Sequence, residues 1–543
     1  MSTPAPISLK AESQGFGHAR GNLRFPFPQA VSLLLFGMLA LMIGSSLHKK
    51  LAYDEYPNLY YGYRFMTEGP SAVPDGQRMP VFTLHALGCA AYQCDPSLLD
   101  RRPAARFIVR LPSLLFALLL GYAIYAWARE LYGPRAALFS LALYVFNPNF
   151  IAHGKQITSD SATCLFFFLS IYFFWRYSRD RKRVNFILSA FATTAAIVSK
   201  YSGILIFAVL LLLWSFRKIQ DHRKGNKTNF AELLRSAAIG LGFFLMVLFL
   251  VNSVYLFKDS FTKTNEIAWQ SKAYQKLKKY SIPIPFPKTF TLGMDYTKFI
   301  QENPAIGRGN NYILGKRHRR GRWYSFPLMI LLKTPLAFFP LLLLAAFARK
   351  SADEERAPGD SSLYLFVPFL LWLVIFSTLC DIQLGVRYVL PAFVFLIVYA
   401  GKAARGTPGP KTLFLTGLLL GGYALSSLSY YPHFISYFNE LIGNRINAYR
   451  YLSDSNLDWE DKSWWIDRFI KNHPELQAKL IESKDPSPRS GFLIMGGIDY
   501  TGVIDEAKTE WLREFKPIAH IAYSHYLFYV PPDRFKEPVG PSL

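Results

Sequence analysis

Residues 51–69, LAYDEYPNLYYGYRFMTEG, begin just after an apolar run at residues 30–47, from which the residues HKK at 48–50 separate them. That run has nearly the ~20 residues that a helix needs to cross a bilayer, so the stretch begins where a predicted membrane span ends. Two adjacent acids, Asp54 and Glu55, stand at this boundary, and aromatic residues follow them at helical spacing. The pattern predicts an amphipathic helix that lies in the membrane interface. Such a helix would cover a cavity, with the two acids at the entrance of that cavity.

Apolar runs recur along the whole 543-residue chain, of which 51% is hydrophobic. They predict a polytopic α-helical membrane protein and not a soluble protein with one anchor. We predict about eleven spans, at residues 30–47, 107–128, 136–152, 161–175, 185–199, 202–216, 236–257, 326–347, 362–380, 387–401 and 412–431. The first run is followed by no small-residue cleavage site, so it predicts an anchoring helix and not a cleaved signal peptide.

Lys and Arg concentrate in alternate connections between the predicted spans, as in RYSRDRKR at residues 176–183. By the positive-inside rule, these connections and the N-terminal tail, residues 1–29, are cytoplasmic. An odd number of spans then places the C-terminus outside. The predicted external segments are residues 48–106, 258–325 and 432–543.

The last external segment is long enough for a small domain after the membrane part, residues 30–431. SGFLIMGGIDYTGV and AHIAYSHYLFYV predict strands, whereas DWEDKSWWIDRFIKNH and DEAKTEWLREF predict helices. We therefore expect residues 432–543 to form a small external α/β domain.

The net charge of +24 has two explanations. One is the cytoplasmic excess of Lys and Arg, and the other is an anionic partner such as a phospholipid or a lipid-linked phosphate. Residues 258–325 carry fourteen Lys and Arg against four Asp and Glu. This segment is either a solvated basic loop or a surface that attracts an anionic substrate. A nucleic acid is not an expected partner, because the chain has no recognisable binding motif and many spans.

A third acid, Asp160, opens the fourth predicted span on the same outer side as Asp54. One explanation is a helix N-cap, which stabilises a helix by ~1 kcal/mol. The other is that Asp160 joins Asp54 around one polar site or one divalent metal ion, since hard cations prefer carboxylate oxygens. Both explanations stay open, and no cofactor is required.

Three basic residues lie at the outer ends of predicted spans: Lys200 in SKYSG, Lys333 in LLKTP and Arg387 in GVRYVLP. Charges inside a membrane are costly and therefore suggest function, although a Lys near a helix end can reach the interface. Three cations converging on one face suit a phosphate. Together with the acids, they indicate an enzyme whose donor is a lipid-linked phosphate.

Two of the four cysteines, Cys89 and Cys94, fall in a predicted external segment. A disulfide is plausible in an oxidising compartment, and two free thiols are the alternative. Cys164 and Cys380 fall inside apolar runs and are expected to pack there.

The chain resembles GT-C membrane glycosyltransferases of glycosyltransferase family 39, which include protein O-mannosyltransferases and lipid A aminoarabinose transferases. The resemblance runs over most of residues 30–470. Its motifs are YDEYPNLYYGY, AHGKQITSD, SKYSG, LLKTP, GVRYVLP and YFNELIG followed by YLSDSNLDW.

The resemblance implies an inverting glycosyltransferase that uses a polyprenyl-phosphate sugar donor at the outer face of the membrane. It implies Asp54 as the catalytic base and Asp160 in the same cavity, with Glu55 beside the base. It places Lys200 and Arg387 at the donor phosphate, and Lys333 is a third candidate there. A lipid, glycan or protein would be the acceptor.

The chain departs from the family in three respects. No His follows shortly after the acidic pair, as one tends to in protein mannosyltransferases, and the extra repeat domains of those proteins are missing. Glu460 stands before Asp461, where many bacterial relatives have a Gly-Gln pair. These departures favour a bacterial transferase in the inner membrane, active on the periplasmic face. The alternatives are a transporter or flippase of a lipid-linked or anionic substrate, and a non-catalytic lipid-binding protein.

Overall fold

The computed structural model describes residues 27–70, 79–223, 229–303, 311–348, 361–406, 409–481, 485 and 487–535. The helices are α1 (Phe27–Gly44), α2 (Glu55–Glu68), α3 (Phe82–Ala86), α4 (Pro96–Arg101), α5 (Pro103–Tyr132), α6 (Pro134–Val145), α7 (Pro148–Gly154), α8 (Asp160–Asp180), α9 (Arg183–Ser199), α10 (Ile206–Arg223), α11 (Phe230–Val254), α12 (Lys272–Gln275), α13 (Lys288–Glu302), α14 (Ser325–Lys333), α15 (Phe338–Phe347), α16 (Leu363–Leu379), α17 (Leu390–Ala400), α18 (Pro410–Leu428), α19 (Ser463–Asn472), α20 (Gly497–Tyr500) and α21 (Glu506–Thr509). The strands are β1 (Asn311–Ile313), β2 (Lys316–His318), β3 (Lys479–Leu480), β4 (Gly491–Gly496), β5 (Ala519–Ile521) and β6 (His525–Val530).

The positions of the helices agree with the predicted spans, since each predicted range overlaps one helix or one bent helix pair. By length and composition, five described helices could cross a membrane, or up to seven if each bent pair is one span. The full number of eleven stays a prediction. Most of the predicted tail, residues 1–26, and the predicted inside loop at 349–360 lie outside the described residues.

An aromatic core formed by α5, α8 and α17 holds the helical part together. Trp127 of α5 is fully buried. Its ring centroid lies 5.1 Å from that of Phe168 and 6.1 Å from that of Phe395. Such aromatic pairs contribute ~0.5–1.5 kcal/mol beyond the area they bury. The packing fixes α8, which carries Asp160 at its N-terminus.

Two helix pairs are sharply bent, α6–α7 by 64° and α14–α15 by 100°. At the first break, the Asn147 side chain accepts hydrogen bonds from the backbone N–H groups of Asn149 and Phe150, which caps α7. The Asn149 side chain then donates to the carbonyl of Lys333 at 2.7 Å. The two breaks therefore contact each other, and both lead into segments that carry candidate site residues.

A four-stranded sheet with the order β3-β4-β6-β5 follows the last apolar helix. β3 pairs with β4 in parallel, and the other pairs are antiparallel. Leu493 and Met495 pack into the hydrophobic core shared with the apolar helices. Ile494 points to the other face, where it packs with Ile466 of α19, as the alternation of a strand requires. β4, β5 and β6 fall within the predicted strand segments, whereas β3 does not, and Gly497–Tyr500 of the first predicted strand segment form the helix α20. An external α/β domain stays a prediction.

A disulfide between Cys89 and Cys94 closes the turn after α3, where their Cα atoms lie 4.8 Å apart. Both cysteines are buried. Cys164 and Cys380 are free thiols, of which Cys164 is buried in α8 and Cys380 is partly buried. These positions fit the packing role that the sequence suggests for the second pair.

Candidate active site

Asp54 precedes the first residue of α2, Glu55, and is partly exposed. Its carboxylate makes no capping hydrogen bond to the helix. Instead, Asp54 Oδ2 accepts a hydrogen bond from the indole Nε1 of Trp459 at 3.2 Å. The carboxylate is thus oriented by a distant residue and remains accessible, as a base that meets an incoming acceptor would need to be.

Glu55 is buried and its oxygens are occupied by groups of the protein. Arg110 of α5 donates to both carboxylate oxygens, with Nη2 at 2.9 Å from Oε2. The backbone N–H groups of Ala52 and Ile157 donate to the same carboxylate at 2.5 and 2.8 Å. Glu55 therefore joins the start of α2 to α5 and to the segment before Asp160, which makes it a positioning residue and not a free base.

Asp160 is buried and interacts with both predicted phosphate-binding cations on its own side of the site. Lys200 Nζ lies 2.7 Å from Asp160 Oδ1, and Arg387 Nη1 lies 3.9 Å from Oδ2. The Lys200 and Arg387 side chains keep 24% and 17% of their surface exposed. Two cations thus share one carboxylate, and both of their side chains remain partly accessible.

The guanidinium of Arg387 lies over the ring of Trp459, 3.9 Å from its centroid. Cation–π contacts of this kind hold an arginine without using its N–H donors. Arg387 Nε is a buried donor without a hydrogen-bond partner in the described part of the chain. Since Trp459 also donates to Asp54, one indole holds the acid at its edge and the cation on its face.

The short loop that carries Arg387 is fixed by Asn456. The Asn456 side chain accepts from the N–H of Val386 at 2.9 Å and donates to the carbonyl of Leu384 at 3.0 Å. The Ser455 hydroxyl donates to the same carbonyl at 3.1 Å. The segment YLSDSNLDW, residues 451–459, therefore positions both Asp54 and Arg387.

Lys333 is buried, and its ammonium contacts backbone carbonyls and not Asp160. Its ammonium donates to the carbonyls of Ile435 and Asn456 at 2.7 and 2.5 Å, and it lies 4.6 Å from the ring centroid of Phe438. These contacts tie α14 to the segment after α18. The geometry favours a positioning role for Lys333, and direct phosphate binding by it has no support in these contacts.

Asp454 is a site residue that the sequence argument did not single out. Its backbone has φ of +55°, a conformation uncommon for a residue other than glycine. Burial raises the pKa of its carboxyl, and the nearby charge of Asp54 raises it further, whereas a backbone hydrogen bond from Ser455 and the charge of Arg387 act in the opposite direction. Asp54, Asp160 and Asp454 all interact electrostatically with Arg387. An unusual backbone at a partly buried acid is a signal of function that only the structure provides.

A second polar cluster, beside the site, surrounds Glu460 with three lysines. Lys49 and Lys155 lie 2.5 and 2.7 Å from its carboxylate, and Lys462 lies 3.7 Å away. Although burial alone would raise it, the pKa of Glu460 is held well below its ordinary value, chiefly by Lys155 and Lys49. Burial and the neighbouring ammonium groups lower the pKa of Lys49 despite Glu460. The sequence showed Glu460 only as a departure from the family motif.

No group of three or more His, Cys, Asp and Glu side chains among the described residues is placed to hold a metal ion. Asp160, one of the two predicted ligands, is paired with Lys200 and Arg387. Asp54 and Asp160 as ligands of a divalent ion stay a prediction.

The structure thus brings Asp54, Asp160, Lys200 and Arg387 around one cluster that includes Trp459. It places Glu55 and Lys333 in buried contacts that support this cluster. Trp459 belongs to the motif that carried the family resemblance, but its chemistry gave no sign that it would bridge an acid and a cation 405 and 72 positions away in the chain. The geometry could serve a reaction in which a proton is removed beside a departing anion.

Comparison with known proteins finds one family match. Residues 104–250, just over a quarter of the chain, match the family model described as dolichyl-phosphate-mannose-protein mannosyltransferase. No curated protein matches the chain. The match supports the resemblance predicted from the motifs over residues 104–250, where the chain is similar to a family of membrane glycosyltransferases.

Several solved structures are also similar to this chain. The Saccharomyces cerevisiae protein O-mannosyltransferase Pmt1-Pmt2 complex has 16% identity and TM-score 0.35, with 48% of this chain and 37% of that one covered. The Archaeoglobus fulgidus oligosaccharyltransferase AglB has 10% identity and TM-score 0.48, with 82% and 58% covered. ArnT from Cupriavidus metallidurans has 13% identity and TM-score 0.29, with 92% and 98% covered. The chain spans less than two thirds of the first two proteins, and at these TM-scores we base no conclusion on the matches.

Proposed function

We propose that this protein transfers a sugar from a polyprenyl-phosphate donor to an acceptor hydroxyl or amine at the outer face of a membrane, with inversion of the anomeric centre. The observation that carries the proposal is the shared contact of Asp54 and Arg387 with Trp459. The indole of Trp459 thereby holds a base and an anion-binding cation close to each other. An attacking group and a leaving phosphate could meet one sugar at this place.

Asp54 is the proposed base. Its carboxylate is accessible, whereas that of Glu55 is saturated by Arg110 and two backbone N–H groups. A positioned base contributes ~10²–10⁴-fold to a rate. In the proposed step, the acceptor oxygen or nitrogen forms a bond to the anomeric carbon, Asp54 takes the acceptor's proton, and the bond to the phosphate oxygen breaks.

Lys200 and Arg387 are the proposed phosphate-binding residues. As the bond to the donor breaks, negative charge develops on the phosphate, and preorganised cations stabilise such charge strongly. Asp160 contacts both cations. Asp160 also limits the mutual repulsion of Lys200 and Arg387, so both cations can stay close together at the place where the phosphate would bind.

The proposal includes a membrane part at residues 30–431 of the GT-C kind and an external domain at residues 432–543. The external location places Asp54 at the level where a donor sugar leaves the lipid and an acceptor arrives from water. A bacterial inner membrane and a periplasmic active face are the proposed location. The acceptor is a glycolipid, a polysaccharide or a protein.

The test is sugar transfer by the purified full-length protein from a panel of polyprenyl-phosphate sugars, with Asp54→Asn and Glu55→Gln compared. We expect Asp54→Asn to insert, fold and bind polyprenyl phosphate normally but to lose at least ~10²-fold in turnover. Glu55→Gln should instead lose folding stability, because it leaves Arg110 partly unpaired in a buried position.

Arg387→Ala supplies the donor arm of the same experiment. It should weaken binding of polyprenyl phosphate without unfolding the protein, since charged hydrogen bonds contribute ~1.5–3 kcal/mol each. Normal transfer by Asp54→Asn would refute the base. Movement of intact donor across a vesicle, without any transfer of its sugar, would establish the transport alternative.

A further inference from the structure

A large cavity lies far from the candidate active site, between α8, α9, α10, α11 and α16. Its volume is about 440 Å³, within the ~300–1,000 Å³ of many small-molecule sites. Tyr177 lines it, and Asp160 lies at the opposite end of the same helix. Seventeen helical residues at 1.5 Å each separate the two by about 26 Å. The cavity therefore belongs to the other side of the protein from the proposed reaction.

The walls of the cavity change character from one end to the other. On α10, the lining runs from Phe207 through Leu210 and Trp214 to Arg217 and Lys218. Because the helix rises 1.5 Å per residue, these eleven steps cover about 16 Å, close to half of the ~30 Å hydrocarbon thickness of a bilayer. The cavity is thus about one leaflet long, apolar at its inner end and basic at its mouth.

The neighbouring helices repeat this gradient. α8 contributes Phe174 toward the apolar end and is followed by Arg181 at the basic end. α11 runs antiparallel to α10 and contributes Phe243 toward the apolar end and Ser236 toward the mouth. The ring centroids of Phe186 and Phe243 lie 5.4 Å apart, which closes one wall.

The mouth is cationic and incompletely paired. Lys218 has Glu232 at 4.0 Å, and Arg181 lies over the ring of Tyr177, 5.6 Å from its centroid. Within the part of the chain that the structure describes, Arg217 has no hydrogen bond or ion pair with another side chain. Three cations against one acid leave an excess of positive charge beside an acyl-sized apolar groove.

We propose that this cavity binds one anionic glycerophospholipid, with an acyl chain between α8, α10 and α11 and the headgroup phosphate at Arg217, Lys218 and Arg181. The charge of the mouth complements an anionic headgroup, and the depth matches one leaflet. On the proposed orientation, the leaflet is the cytoplasmic one, whose anionic lipids attract such basic residues. The bound lipid joins α8 to α11 and is distinct from the sugar donor.

Gly240 offers a variant that fills the cavity without disturbing the fold. It lines the cavity, and a Cβ on it would meet no atom within 4 Å. Gly242, two residues further along α11, also has no atom within 4 Å of a Cβ, and it does not line the cavity. Gly240→Phe and Gly242→Phe therefore carry the same change in helix propensity and differ in whether they block the groove.

The experiment is lipid binding to the purified full-length protein, measured by native mass spectrometry with phosphatidylglycerol and phosphatidylcholine of identical acyl chains. We expect phosphatidylglycerol to bind about tenfold more tightly, since each basic residue contributes to attraction of an anionic lipid. Arg217→Ala combined with Lys218→Ala should remove most of that preference. Gly240→Phe should weaken binding of both lipids, and Gly242→Phe should bind as the unchanged protein does.

Equal affinity for the two lipids would overturn the proposal, as would identical behaviour of Gly240→Phe and Gly242→Phe. Competition with polyprenyl phosphate provides the third arm. If polyprenyl phosphate displaces bound phosphatidylglycerol at a lower concentration than added phosphatidylglycerol does, the cavity is a site for the donor lipid. The assignment to a glycerophospholipid then fails. None of these measurements depends on sugar transfer, so they stand apart from the test of the proposed function.

Discussion

At the scale of single residues, Trp459 has two separable contacts. Its Nε1 donates to Asp54 and its ring supports Arg387. Trp459→Phe keeps an aromatic face and removes the hydrogen-bond donor of the indole. We expect turnover to fall about tenfold because Asp54 loses its orientation. The Michaelis constant for the sugar donor should change little. Trp459→Ala also removes the face and should raise that constant. Steady-state kinetics of the two variants check this, and identical kinetics for both would contradict it.

Glu460 gives the second prediction at this scale. Glu460→Gln leaves Lys49, Lys155 and Lys462 without their shared carboxylate, and breaking a buried ion pair costs ~3–5 kcal/mol. Thermal unfolding of the purified protein at neutral pH should show this loss. Because the pKa of Glu460 is lowered in the fold, its contribution is complete above the ordinary pKa of a glutamate and is lost as the pH falls through the lowered value.

The matched control is Glu475→Gln, which removes an exposed carboxylate paired with His473. It should leave the unfolding temperature unchanged. If the two variants unfold alike, the lysine cluster does not depend on Glu460 in the way its contacts indicate.

The sequence could indicate which residue types matter at the site but not how each is used. Asp54 and Glu55 are adjacent, and on a helix their side chains point about 100° apart. Which one is buried depends on Arg110, a residue 55 positions away. Lys333 looked exceptional by its depth in an apolar run, but its two carbonyl partners come from irregular segments after α18. Such segments have no periodicity from which to predict a contact.

At the scale of elements, the turn between α9 and α10 explains the glycine of the SKYSG motif. The N–H of Gly203 donates to the carbonyl of Lys200 at 2.8 Å. A Cβ on Gly203 would lie 2.5 Å from the carbonyl oxygen of Ala196. The turn can therefore pack against α9 only with a glycine here, and this packing sends Lys200 toward Asp160.

Gly203→Ala should push the turn away from α9. We expect a loss of ~1–3 kcal/mol in the free energy of unfolding, as for other overpacked positions, and a weaker affinity for polyprenyl phosphate. Gly242→Ala is the control, because a Cβ there meets nothing within 4 Å. It should leave both quantities unchanged or raise stability slightly. A Gly203→Ala protein with normal stability and donor affinity would show that the turn has room to adapt.

Prediction from sequence is most successful for these elements. Hydropathy located every predicted span at a helix or bent pair, because long apolar runs have few alternatives in a membrane. The bends after Val145 and Lys333 were not predicted. They depend on side-chain hydrogen bonds to the interrupted backbone, such as the one from Asn149 to the carbonyl of Lys333. Among the short strands after α18, β4, β5 and β6 lie in segments predicted as strands, whereas β3 and the order of the strands in the sheet were not predicted.

At the scale of the whole molecule, orientation remains to be measured. A reporter that is active only outside the cytoplasm should be active when fused after residue 435 and inactive when fused after Arg183. The reason is the excess of Lys and Arg in the predicted inside connections. The opposite result would invert the molecule and place Asp54 and Arg387 on the cytoplasmic side, which would also require a donor in the inner leaflet.

The hydrogen bond between Asp54 and Trp459 joins residues 405 positions apart in the chain. Translation proceeds from the N-terminus, so Asp54 enters the membrane long before its partner is made. The growing chain therefore cannot complete its site until about five sixths of the protein, up to Trp459, has been synthesised. On the proposed function, a prematurely terminated product that ends before Leu452 would insert its helices but transfer no sugar. Unfinished copies of the protein would therefore consume no donor.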